Sequence, residues 1–127
     1  MYNRFIVATE TKVHRVEPDI TVFEISGRLV LGNSLQSVAS AIREIIDGGA
    51  RKLVIDLTGL NMIDSSGIGV LINRIGQMDQ AGGKIRLAGA HGAVSKVFQT
   101  IRIDRIVALD ADLASACAHL SSGAATT

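Results

Sequence analysis

Asp64-Ser65-Ser66-Gly67-Ile68-Gly69 is the stretch of this 127-residue chain whose residue types and spacing could do chemistry. Two hydroxyls stand between a carboxylate and a pair of glycines. An apolar pattern of helical period follows, in Ile68, Leu71, Ile72, Ile75 and Met78. Asp64, Ser65 and Ser66 can each accept a hydrogen bond from the unpaired N–H groups of a helix start, so capping accounts for one of them. A serine in this place has a second capacity. Free N–H groups and the positive end of the helix dipole converge there, so a phosphate on Ser65 would be stabilised by about 0.3–1 kcal/mol. Such a group adds about −2 charge to the surface without unfolding a domain. Ser66 is the reserve acceptor. Gly67 and Gly69 fall in the first turn, where each glycine costs roughly 1 kcal/mol relative to alanine. Two of them there imply that something approaches the backbone closely: a kinase, a partner helix or a neighbouring strand.

Other chemistries fit the same residues less well. The nucleophile elbow of hydrolases has glycine two residues either side of its serine, and here Ile63 takes the first of those places. His14, His91 and His119 are the base candidates, and their spacing to Asp64 and Ser65 forms no recognisable triad. Gly67 and Gly69 lack the lysine of a phosphate-binding loop and the third glycine of a dinucleotide fingerprint. Three histidines and the single Cys117 show no metal-ligand spacing, and Cys117 falls on an apolar helical stripe as a small hydrophobe. No catalytic residue, cofactor or metal is expected, and the chain reads as a binding protein rather than an enzyme.

The elements around this segment alternate. Residues Phe5 to His14 read as a strand, Pro18-Asp19 as a turn, and Ile20 to Ser26 as a second strand paired antiparallel with the first. Leu35, Val38, Ile42, Ile45 and Ile46 share one helical stripe, with Asn33 or Ser34 as its cap and Gly48-Gly49 as its stop. Leu53 to Leu57 is almost wholly apolar, which suits a central strand covered on both faces. The Ser65 helix closes at Ala81-Gly82-Gly83. A strand at Ile85 to Ala88, a helix through Val94, Val97, Phe98 and Ile101, and a strand at Ile106 to Leu109 follow. A last helix carries Leu113, Ala116, Cys117 and Leu120. Alternating strands and helices imply parallel pairing with right-handed crossovers. The expected fold is a single α/β domain over residues 1–120, with a mixed sheet of about five strands and about four helices. Residues 121–127 are expected to be a flexible tail. Ser65 would then lie on the rim at the carboxyl ends of the strands, where open α/β sheets place their ligands and partners.

Composition bounds the rest. A 47% hydrophobic content with only 3% aromatics and no tryptophan calls for a core of Ile, Val, Leu and Ala. Thirteen basic and twelve acidic residues leave a net charge of +1, and the basic ones are scattered, so no nucleic-acid face is expected. Arg51 and Lys52 read as ordinary solvated charges. No apolar run approaches the ~20 residues of a membrane helix. The first residues do not form a signal peptide, and one cysteine excludes an internal disulfide, so a cytoplasmic location is expected.

Leu53-Val54-Ile55-Asp56-Leu57 leading into Met62-Ile63-Asp64-Ser65-Ser66-Gly67-Ile68-Gly69-Val70-Leu71 resembles the STAS domain of bacterial anti-sigma-factor antagonists. Gly27-Arg28-Leu29 and Gly82-Gly83 before Lys84-Ile85-Arg86-Leu87 extend the resemblance to about residues 5–120. It implies a signalling cycle in which the serine after the aspartate, here Ser65, is phosphorylated by a partner serine kinase that is also the anti-sigma factor. The unphosphorylated form binds that partner, and a phosphatase restores it. Asp64, Ser66, Gly67, Ile68 and Gly69 would form the docking edge. Many members carry an aspartate near the site where this chain has Val30, which points to a different partner or a divergent branch. The alternative is a constitutive interaction module of the same fold, a scaffold or an accessory subunit of a transport system.

Overall fold

A computed structural model describes residues 9–125, with side chains described through Ser121. The part of the first expected strand at residues 5–8 lies outside the described residues. The elements are β1 (Glu10–Val16), β2 (Ile20–Leu29), α1 (Asn33–Asp47), β3 (Lys52–Asp56), β4 (Leu60–Ile63), α2 (Ser65–Gln80), β5 (Lys84–Ala88), α3 (Gly92–Ile101), β6 (Ala108–Asp110) and α4 (Leu113–Ala125). A short 3-10 turn at Ile103–Arg105 follows α3. The strands form one mixed sheet in the order β1-β2-β3-β5-β6, with β4 beside the far end of β2. β1 and β2 pair antiparallel as their alternation predicts, and all other pairings are parallel.

β2 and β3 occupy the middle, so side chains on both their faces must be buried, and their β-branched runs meet that demand. On one face Phe23, Ile25, Leu53 and Ile55 pack against the stripes of α1, α2 and α3. On the other, Ile20, Val22, Val54 and Ala88 pack against Ala116 and Leu120 of α4 alone. One helix covers less of the sheet than three do. The α4 face therefore keeps charged residues along its margins, and those margins return below. No described helix is long and apolar enough to cross a membrane.

Four expectations shift. The sheet has six strands where about five are expected, because β4 is only four residues long and buries only its ends, Leu60 and Ile63. Neither Asn33 nor Ser34 caps α1: the helix already begins at Asn33, and the residue before it, Gly32, has no side chain to offer. The final strand lies two residues later than its apolar run, since the 3-10 turn takes Ile103 into the core and leaves Ile106 exposed. α4 continues to Ala125, five residues into the expected tail, and residues 126–127 lie outside the described residues. Cys117 is half-buried in the α4 cluster, where burial, and then the charge of Asp56, push its thiol above the ordinary range.

β4 is held to the domain by few groups, so Leu60 matters beyond its size. Leu60 is fully buried, and Leu60→Ala is expected to destabilise the domain by about 2–5 kcal/mol in urea unfolding. A loss under about 1 kcal/mol would show that β4 is dispensable for stability.

Candidate functional site

The site is made by a strand that changes partner. The first part of β2 pairs with β3 from Thr21 to Glu24. Gly27, at a φ of 88°, adopts a backbone conformation that suits glycine, and the register shifts between it and Arg28. Beyond that shift β2 runs beside β4, with Arg28 opposite Met62 and Leu29 opposite Ile63. The Gly27 N–H donates to the Gly59 carbonyl at 2.9 Å and closes the join. The chain leaving β2 and the chain entering α2 are thereby laid side by side.

Asp64 ties them together. Its backbone N–H donates to the Leu29 carbonyl at 3.3 Å. One carboxylate oxygen, Oδ2, accepts the Leu31 N–H at 3.0 Å, and the other, Oδ1, accepts the Gly67 N–H at 3.0 Å. The second bond makes Asp64 the N-cap of α2. The first makes it a clamp on the segment after β2. Hydrogen bonds from Leu31 and then Gly67 hold the carboxyl below its ordinary value, because they favour the charged form.

With Asp64 as the cap, Ser65 is released from that duty. It is the first residue of α2 and is exposed, whereas Ser66 is half-buried. The two glycines separate in role. Gly67 is buried, and a β carbon there would collide with the Leu29 carbonyl and lie 2.9 Å from Ile63 Cγ1, so the neighbour it admits is β2. Gly69 is exposed, and a β carbon there would meet nothing within 4 Å. No group of the domain demands that glycine. Ile68 is half-buried against the core. Of the expected docking edge, the structure therefore turns Gly69 fully outward beside Ser65, and folds Gly67 and much of Ile68 inward. Val30 is half-buried next to the clamped Leu31.

Sequence patterning passed over the apolar surface around Ser65. Leu31 is 75% exposed, Met62 45% and Ile72 41%. The Arg28 guanidinium donates to Met62 Sδ at 3.3 Å, which adds a cation to that rim. On α2, Ser65, Gly69, Ile72 and Gly76 recur at helical spacing and are all exposed, so they form one stripe. The sequence signal for this surface is Ile72, whose place on the apolar stripe predicts burial, and Leu31, an apolar residue between two elements.

The histidines take other partners. His14 Nδ1 lies 3.3 Å from Glu24, His91 Nε2 lies 2.8 Å from the Thr58 carbonyl, and His119 Nδ1 lies 2.6 Å from Asp110. Among the described residues, no hydrogen bond joins any of them to Ser65, and no cluster of His, Cys, Asp and Glu could hold a metal ion.

The STAS domain family model matches residues 11–116. Among solved structures, an anti-sigma factor antagonist from Mycobacterium paratuberculosis is 18% identical with a TM-score of 0.78, covering 88% of this chain and 93% of that one. The Bacillus cell fate determinant SpoIIAA in its phosphorylated form is 21% identical with a TM-score of 0.70, covering 87% and 99%. A sulfate transporter family protein from Wolinella succinogenes is 14% identical with a TM-score of 0.73, covering 89% and 93%. At these identities the likeness to solved structures is one of fold.

Two predictions follow from the geometry at α2. Gly67→Ala must push β2 away and is expected to cost about 1–3 kcal/mol in urea unfolding. Gly69→Ala meets open space and is expected to stabilise by about 0.5–1 kcal/mol; equal effects of the two would contradict the division of roles. The Asp64 clamp carries a pH signature. Its carboxyl is lowered on folding from the ordinary 3.8, so its stabilisation is complete above that value and fades as pH falls through the lower folded one. In an NMR carboxyl titration the Asp64 midpoint should fall below 3.8, with the Leu31 and Gly67 amides losing exchange protection as it protonates. A midpoint at or above 3.8 would refute the clamp.

Proposed function

The chain belongs to the STAS domain family, and from that membership we propose that it is an anti-sigma-factor antagonist switched by phosphorylation of Ser65. The observation that carries this proposal is an exposed serine in the first turn of α2 whose capping role is taken by its neighbour, Asp64. In the unphosphorylated form, the hydroxyl, the open backbone at Gly69 and the apolar side chains of Leu31, Met62 and Ile72 make a rim that a partner can cover at small desolvation cost. The partner is a serine kinase that is itself the anti-sigma factor. It transfers the γ-phosphoryl of ATP to Ser65 Oγ, the Oγ–P bond forming as the bond to ADP breaks and the hydroxyl proton departs.

The helix start supports the reading of Ser65 as the acceptor. Asp64 already engages the N–H groups of Gly67, through Oδ1, and of Ile68, through its carbonyl at 3.0 Å. A phosphate on Ser65 would lie at this helix start, at the positive end of the dipole. The modified rim carries the phosphate beside the ionised Asp64 against the single cation of Arg28, about −2 net. Burying that much charge against an apolar partner surface is costly without new counter-charges, so the complex dissociates. A phosphatase then resets the serine. The work is binding rather than turnover, in keeping with three histidines engaged at other places.

Val30 favours a second reading. With valine where many family members have an aspartate, the rim is less acidic, which supports a constitutive interaction module such as an accessory subunit of a transport system. The sulfate transporter family neighbour adds weight to that alternative.

Incubation with the kinase and ATP should add a single phosphate by intact mass in the wild type and in Ser66→Ala, and none in Ser65→Ala. Phosphorylation that persists in Ser65→Ala would overturn the assignment. Ser65→Asp should weaken partner binding about tenfold or more, since tenfold corresponds to only about 1.4 kcal/mol of unfavourable charge burial. Binding equal to wild type would favour the constitutive module.

A further inference from the structure

At the opposite rim, where β3 and β5 begin, a cavity of about 640 Å³ opens between the margin of α4, the β1–β2 turn and the loops at Gly48-Gly49 and Gly82. Its volume lies within the range of small-molecule sites. Its charged lining is predominantly basic: Arg15, Arg51, Lys52, Lys84 and Arg86, with His119 beside them, against the single carboxylate of Asp19. A chain of net charge +1 has gathered five of its permanent cations into one concavity. Arg51 and Lys52, which the sequence presents as ordinary solvated charges, belong to this cluster.

Some of these cations are compensated and some are not. Lys52 pairs with Asp19 at 3.0 Å, and Arg86 pairs with Asp110 at 2.6 Å. No carboxylate lies within ion-pair distance of Arg15, Arg51 or Lys84 among the described residues. The Arg51 guanidinium donates to the carbonyls of Ile46 and Ala50 at 3.0 and 2.7 Å, which positions the group without neutralising it. Lys52 and Lys84 stand directly opposite each other on parallel β3 and β5, and Arg86 follows on the same face. Like charges placed opposite one another weaken a sheet. Lys84 has no ion-pair partner among the described residues to offset that cost.

The far wall is braced. Asp110, with a side chain only 2% exposed, receives both Arg86 Nε and His119 Nδ1 at 2.6 Å, and Arg86 Nη2 also reaches its other oxygen at 3.2 Å. Burial pushes this carboxyl up, but the bonds from Arg86 and His119 outweigh it and hold it ionised. Asp110 thus fixes an arginine and an imidazole at the cavity wall from behind. At the mouth, Gly49 and Gly82 have positive φ and open space where a β carbon would be, leaving the entrance clear.

We propose that this cavity binds a small soluble polyanion carrying two or more phosphate groups. Lys52, Lys84 and Arg86 form one bank of donors along the sheet, and Arg15 and Arg51 supply another across it. The concave shape favours a discrete molecule, whereas a membrane surface or a nucleic acid would be met by a flat basic face. The site lies at the amino ends of the parallel strands, away from Ser65 at the other rim, so it is independent of the phosphorylation proposed above.

Calorimetric titration of the full chain with inorganic pyrophosphate at low ionic strength tests the site. Saturable binding of one ion per chain is expected, weakening with added salt and unchanged in Ser65→Ala. Loss of one charge-assisted contact should weaken it about tenfold in Lys84→Gln and in Arg15→Gln, both exposed positions, with Lys84→Arg retaining most of the affinity. Absence of saturable binding to the wild type, or affinity unchanged in the Lys84→Gln/Arg15→Gln double variant, would overturn the proposal. So would sedimentation with phosphatidylglycerol vesicles in the absence of saturable pyrophosphate binding, which would assign the basic surface to a lipid headgroup.

Discussion

One carboxylate holds the Ser65 rim together. Asp64 accepts from Leu31 on the segment leaving β2 and from Gly67 in the first turn of α2, so a single side chain joins two stretches more than thirty residues apart. Everything notable about the rim depends on that clamp. It satisfies the helix start, which frees Ser65 from doing so. It draws α2 against β2 so closely that position 67 has no room for a β carbon. It also fixes the backbone at Leu31, whose side chain is exposed.

The clamp in turn depends on β2 pairing with two strands in succession. Gly27 permits the change of register that separates the β3 and β4 sections, and the short turn at Leu57 to Leu60 brings β4 into place. A continuous β2–β3 pairing would carry the chain past this point and leave Asp64 without Leu31. The strand that is hardest to detect is therefore the one that builds the site.

The two faces of the sheet have been treated unequally, and the second rim reflects it. Three helices seal one face, while α4 alone covers the other, so the starts of β3 and β5 open onto a concavity instead of a core. Charged residues that would be isolated on a fully covered sheet gather there. Asp110, at the carboxyl end of β6, is a largely buried carboxylate that reaches back to orient Arg86 and His119 at the wall of that hollow. The domain thus presents a neutral, partly apolar rim at one end and a basic hollow at the other.

Local signals in the chain determined the elements and their order. Helical stripes on α1 and α2, the apolar run of β3 and the capping types at 64–66 are properties of contiguous residues, and they identified Ser65 as the residue to watch and the sheet as mixed. Asp64 was legible as a possible cap because its chemistry and its position speak for themselves. Three things were decided only by tertiary structure. β4 is too short to show a period, and it exists because the end of β2 is there to pair with it. Gly67 and Gly69 look alike in sequence, and only the position of the Leu29 carbonyl makes one obligatory and leaves the other open. Arg15, Arg51, Lys84 and Arg86 are scattered along the chain, and parallel register and loop placement bring them around one cavity. Short-range patterning reports what each segment prefers; which distant segments become neighbours is fixed by how those preferences pack together.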